Sequence, residues 1–161
     1  MAQTPDAKQA STAVEPSPGP VATARPPKAQ DPAAEPFAIE VARLLHDDKS
    51  TDVVVLDVRG LSQVTDYIVI GSGSSDRQMR SVLQHVEDLG AEKGMPAFRS
   101  HADERATWLL ADFVHVVVHL FEPNARAHYD LEMLWGDAPR LNWERPDQQR
   151  RDMAGLSPRR G

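Results

Sequence analysis

The chain has 161 residues, a formal net charge of −6, 13 prolines and no cysteine. Without cysteine there can be no disulfide, no thiolate zinc site and no cysteine nucleophile. No apolar run approaches the ~18 residues of a membrane span, and no basic start leads into an apolar leader segment, so a soluble, cytoplasmic protein is expected.

Residues 1–35 contain seven of the prolines and nine alanines, and their only larger apolar residues are Met1, Val14 and Val21. Such a stretch cannot bury enough apolar surface to offset the entropy of ordering it, which predicts a disordered Pro/Ala-rich tail. Residues 139–161 are polar and basic and are expected to form a flexible tail, leaving 36–138 as the folded domain. Removing the two termini leaves about −8 on that domain. An acidic domain does not suit direct nucleic-acid readout, which needs a basic footprint, but does suit a basic protein partner.

The first element predicted is a helix opening at Pro36, with Phe37, Val41, Leu44 and Leu45 on one face. Residues 52–58 form a β-branched, nearly continuous apolar run, as expected of a strand covered on both faces. A second strand over 66–70 runs into Gly71-Ser72-Gly73-Ser74. Ser75-Asp76-Arg77-Gln78 reads as a capping box that starts a helix with Met79, Val82, Leu83, Val86 and Leu89 inward, stopped at Lys93-Gly94. Three strands follow, over 97–100, 107–111 and 116–121. A last helix is predicted to present Ala127, Leu131, Leu134 and Trp135 to the core. The order α-β-β-α-β-β-β-α predicts an α/β fold, a mixed five-stranded sheet flanked by helices.

Several patterns could carry chemistry. The Gly71–Asp76 loop joins a strand to a helix start and could cradle a phosphate. It lacks the lysine of a phosphate-binding loop and the three-glycine dinucleotide pattern; an ordinary capped turn is the plainer reading. Asp57, Asp66 and Asp112 lie in or beside strands, but no Asp-x-Asp pair places two carboxylates on one strand face for two-metal chemistry. His115 and His119 are about 13 Å apart along a strand, too far to share a metal. No catalytic residue, cofactor or metal site is therefore assigned. Around Trp108, strand alternation puts Trp108, Leu110 and Asp112 on one side and Leu109, Ala111 and Phe113 on the other. Both sides could be core. An open Trp108 side would form an interface anchor with the tryptophan at its centre.

Taken in order, these motifs resemble one family: Leu56-Asp57-Val58, Leu61-Ser62, Thr65-Asp66-Tyr67, the Gly73-x-Ser75-x-Arg77-Gln78 corner, Trp108, Val116-Val117-Val118-His119 with Phe121, and Tyr129-x-Leu131-Glu132-x-Leu134-Trp135. Together they are similar to the ribosomal silencing factor (RsfS, Iojap-like) family over roughly residues 36–138. The resemblance implies a nucleotidyltransferase-like fold without catalytic carboxylates. It also implies that the chain binds the large ribosomal subunit through ribosomal protein fourteen, blocks subunit joining and represses translation when nutrients are scarce; some relatives assist large-subunit assembly. The partner-binding positions that carry over are Trp108, then Leu110 and Asp112. The alternative reading is a nucleotidyltransferase-type enzyme using the Gly71–Asp76 loop, and a homodimer through a free strand edge is a further expectation. The chain departs from the family at Val114-His115, where a Gly-Asp turn is usual. A β-branched residue is unfavourable at positive φ, so a different turn is expected there.

Overall fold

The computed structural model describes residues 31–153. The tail expected over 1–35 falls mostly outside that range, as do residues 154–161. In chain order the elements are α1 (Ala34–Asp47), β1 (Thr51–Asp57), β2 (Tyr67–Ser72), α2 (Asp76–Glu92), β3 (Arg99–Ala102), β4 (Trp108–Asp112), β5 (Val116–Phe121), α3 (Pro123–Tyr129), α4 (Leu131–Leu134), β6 (Arg140–Leu141) and α5 (Pro146–Met153).

The strands form one sheet in the order β3-β4-β5-β2-β1-β6. β2 and β5 pair in parallel, Tyr67 opposite Val116 through Ser72 opposite Phe121, and the other neighbours are antiparallel. The central strands β2, β4 and β5 are buried along their whole length, as apolar runs covered on both faces must be. α1 and α2 cover one face: Phe37, Val41, Leu45, Met79, Val82 and Val86 meet Val55, Val69, Val118 and Leu120 there. Ser75 caps α2, its Oγ accepting from the Gln78 N–H at 3.1 Å. The Gln78 side chain reaches one residue further back than a capping box requires, its Oε1 accepting from the Ser74 N–H at 2.9 Å.

Three expectations are corrected. The sheet has six strands, because Arg140–Leu141 pairs with Leu56 and Val55 inside the segment expected to be flexible. What orders that segment is distant in sequence: the Trp143 indole donates to the Val53 carbonyl at 3.0 Å, and Arg43 Nε donates to the Trp143 carbonyl at 2.7 Å. Further on, Arg145 makes a two-pronged contact with Asp47 at 2.8 and 2.9 Å. Local composition does not register such partners. Next, the last helix is two short ones, broken at Asp130 with φ 45°. Asp tolerates the left-handed region, and here its carboxylate also caps the next turn at Met133 N. As a result Ala127 and Leu134 face solvent while Leu131 and Trp135 face the core.

The third correction concerns the hairpin between β4 and β5. Its turn does place Val114 at φ 75° despite the branched side chain. Asp112 holds it there, Oδ1 accepting from the Val114 N–H at 2.8 Å, while the His115 N–H donates to the Phe113 carbonyl at 2.9 Å. A strained backbone position of this kind costs about 1–3 kcal/mol. Val114→Gly is therefore expected to gain about 1 kcal/mol and raise Tm by a few degrees in a thermal melt; an unchanged or lower Tm would mean that the Val114 side chain contributes more than the strain costs.

Candidate partner-binding surface

The sheet face opposite α1 and α2 gathers Val54, Leu56, Ile68, Ile70, Trp108 and Phe121 under Leu131, Trp135 and Ala138. Aromatic rings dominate its centre. The Trp108 ring lies 5.0 Å from Phe121 and 4.3 Å from Tyr129, centroid to centroid. An indole nitrogen only donates, so in the 3.0 Å contact between Trp108 Nε1 and His119 Nδ1 the histidine accepts and carries its proton on Nε2. Burial alone pushes the His119 pKa down to about 3, which keeps the ring neutral and able to accept.

The three residues expected at the partner surface lie together on this face, but none is open. Trp108 is 8% exposed, Leu110 4% and Asp112 1%. Of the two alternatives left open for the Trp108 side, the covered one holds, because the short helices lie over it. Asp112 is turned to its own hairpin and to Arg99, 3.5 Å away. The covering helices themselves bring large apolar groups to solvent: Tyr129, Met133 and Leu134, at 45%, 76% and 46%. The helical spacing places Leu134 in the core and gives Met133 no role, yet both are exposed. The available signal was Asp130, which breaks the helical register and turns both outward.

Arg126 fastens this helical layer to the sheet. Its Nη1 donates to Ser72 Oγ at 2.9 Å, and its Nε and Nη2 donate to the two Glu132 oxygens at 3.2 and 2.9 Å. One guanidinium thus ties α3 to the end of β2 and to α4. The far side of the Trp108 strand is set by Asp103 in the β3–β4 loop. Its carboxylate accepts from Thr107 N and Oγ1, both at 2.6 Å, and from Trp108 N at 2.9 Å. Burial works to raise its pKa, but the hydrogen bonds from Thr107 and from the Trp108 amide outweigh that and hold it below the usual carboxylate value. A depressed folded-state pKa contributes stability above the unfolded value of about 3.9 and loses it as pH falls through that value toward the folded one. Asp103→Ala should cost about 1.5–3 kcal/mol at neutral pH, and the gap to the unaltered protein should close in melts below about pH 4. A gap independent of pH would show that the loop does not depend on the charge.

The features weighed for catalysis are occupied otherwise. In the Gly71–Asp76 loop, the Gly73 N–H donates to the Phe121 carbonyl at 2.8 Å and the Ser74 N–H to Gln78, so two amides a phosphate would need are already engaged. Gly73 is there for packing: a Cβ would stand 2.1 Å from Met79 Cγ. Asp57 pairs with Arg59 at 2.7 Å, Asp66 with His115 at 3.1 Å and Asp112 with Arg99, so each carboxylate has its own counter-group. Among the described residues no cluster of three or more His, Asp or Glu converges as a metal site.

The architecture is that of a mixed α/β sheet protein with a helical layer on each face. Residues 31–159 match the family model described as "Ribosomal silencing factor during starvation", and the chain belongs to that family. It is 38% identical over 102 residues to ribosomal silencing factor RsfS of Bacillus subtilis, a match covering 63% of this chain and 86% of that one. A more distant relative is mitochondrial assembly of ribosomal large subunit protein 1 of Mus musculus, 32% identical over 95 residues, 57% of this chain and 42% of that one. Among solved structures, protein CV0518 from Chromobacterium violaceum superposes with a TM-score of 0.59 at 30% identity, covering 67% of this chain and 88% of that one.

Proposed function

We propose that this chain is a cytoplasmic translation repressor that binds the large ribosomal subunit through ribosomal protein fourteen and blocks joining of the small subunit when nutrients are scarce. The observation that carries this reading is the family match, which runs across the whole described fold. The names of relatives point the same way, one to ribosomal silencing and one to assembly of a ribosomal large subunit. Charge supports it too, because the acidic domain complements a basic ribosomal protein and would speed its capture.

The contact surface in this proposal is the helical layer over Trp108. Tyr129, Met133 and Leu134 meet the partner, while Trp108, Leu110 and Asp112 shape the surface from below. Exposed apolar residues on a rigid, aromatic-backed support suit an interface anchor. Binding alone produces repression if the bound chain occupies space the small subunit needs, so no chemical step is required. Light scattering of subunit association tests this: adding the chain should lower the amplitude of joining in a saturable way. Full joining at saturating protein would contradict the proposal.

Among the described residues β3 is the outermost strand at one side of the sheet and pairs only with β4, leaving exposed Ser100 and His101 on an edge where a second copy can add. We propose this edge for any homodimer; sedimentation equilibrium over a range of concentrations would detect it.

A further inference from the structure

Between Asp52 and Asp57, β1 reads Val53-Val54-Val55-Leu56, an apolar and mostly β-branched run. On one side it is paired with β2. Left open, the other side would offer N–H and C=O groups to any approaching strand, and such a sequence invites pairing between copies. A strap over residues 137–149 closes it. Alternate residues of a strand turn their backbone groups the same way, so Val53, Val55 and Asp57 are the ones that face this side. Each is engaged. Val55 pairs with Leu141, the Asp57 N–H donates to the Pro139 carbonyl at 2.9 Å, and the Val53 carbonyl accepts from the Trp143 indole at 3.0 Å. The two-residue strand β6 is thus lengthened by a side chain, with an indole standing where a third strand residue would donate.

The strap is fastened to α1 near solvent. Arg43 Nε donates to the Trp143 carbonyl at 2.7 Å, the Trp143 ring lies 5.6 Å from that of His46, and Arg145 forks onto Asp47. Arg145 and Asp47 are 38% and 51% exposed, and an ion pair so placed contributes little. Trp143, partly buried against the core on the α1 side, is therefore the main anchor. It is an anchor at the margin of that core, so its release leaves the rest of the sheet in place.

We propose that the strap is a built-in cover for the β1 edge, and that lifting it opens a pairing site for β1 of a second copy. The strand is complementary to itself. In an antiparallel pair with Val55 on the two-fold axis, Val53 stands opposite Asp57 and Val54 opposite Leu56, so the outward groups of residues 53, 55 and 57 meet their own kind. Opposing Asp52 to Asp57 would need a register that sets an inward-facing residue against an outward-facing one, which a strand pair does not allow. No carboxylate therefore faces another. A two-fold pair of this kind closes on itself as a dimer. The site differs from the β3 edge, which needs no opening, and nothing in this device depends on ribosome binding.

The test uses the full chain with Trp143→Ala, which removes the anchor and the indole donor together. The chain has no native cysteine, so a nitroxide can be attached at Thr51→Cys, an exposed position at the start of β1. Spin-labelled Trp143→Ala chains are mixed with isotope-labelled Trp143→Ala chains that carry no label. Self-pairing of β1 predicts that the Asp57 and Arg59 amides of the isotope-labelled chains lose most of their intensity, while Ser100 and His101 keep theirs. The loss should recede on dilution and be absent when neither chain carries Trp143→Ala. Arg43→Ala, which removes the hold on the Trp143 carbonyl and leaves the indole in place, should give the same pattern more weakly; it decides the matter if Trp143→Ala does not melt cooperatively. Folded variants that show no loss at Asp57 and Arg59 at any concentration would overturn the proposal. So would a loss centred on Ser100 and His101, or one of equal size in the unaltered chain.

Discussion

Trp108→Ala is expected to destabilise the protein by about 3–5 kcal/mol, the range for removing a large aromatic side chain from a core. The residue is 8% exposed, lies against Phe121 and Tyr129, and supplies the hydrogen bond to His119 Nδ1. Truncation opens a cavity and also strands a buried acceptor, and the two costs add. At several degrees per kcal/mol for a domain of this size, Tm should fall by more than about 10 °C. Trp108→Phe keeps an aromatic ring in the stack but loses the indole donor and part of the ring volume, so it should cost clearly less than the alanine change. A Trp108→Ala protein that melted like the unaltered one would contradict the buried placement. Lost ribosome binding in Trp108→Ala is accordingly read as lost support for the surface, not as lost contact.

Met133→Asp combined with Leu134→Asp should have the opposite profile. These side chains are 76% and 46% exposed, so their replacement should move Tm by little. On the proposed surface they are apolar anchors, and placing two carboxylates in a desolvated contact should weaken binding by about 2 kcal/mol or more, some thirtyfold in Kd. The measurement is the affinity for isolated ribosomal protein fourteen at fixed salt, alongside a melt of the same sample. Unchanged affinity would move the contact surface elsewhere on the chain. The same result with a collapsed Tm would mean that the two residues are part of the fold.

Much of the architecture was legible in the sequence where local pattern and tertiary role coincide. The β-branched run over 52–58 announced a strand covered on both faces, which holds at Val54, Val55 and Leu56, and Ser75 with Gln78 marked the start of α2. Strand alternation correctly placed Trp108, Leu110 and Asp112 on one face. It could not say whether that face is covered, because parity along a strand carries no information about what lies above it. The cover comes from α3 and α4, and their arrangement depends on the left-handed Asp130, which the helical spacing of Leu131, Leu134 and Trp135 concealed. The sixth strand was illegible for a similar reason. Its anchors pair Trp143 with Val53 and Arg145 with Asp47, residues 90 and 98 positions apart. At Val114 the steric preference was read correctly and the outcome was still the reverse, since Asp112 and the flanking strands hold the turn against it.

The central claim is that this chain acts by occupying the large ribosomal subunit. The most direct test is co-sedimentation of the full chain with separately purified large and small subunits at low salt. Saturable recovery with the large subunit, and background recovery with the small one, is the predicted result. Equal recovery with both, or none with the large subunit, would contradict it.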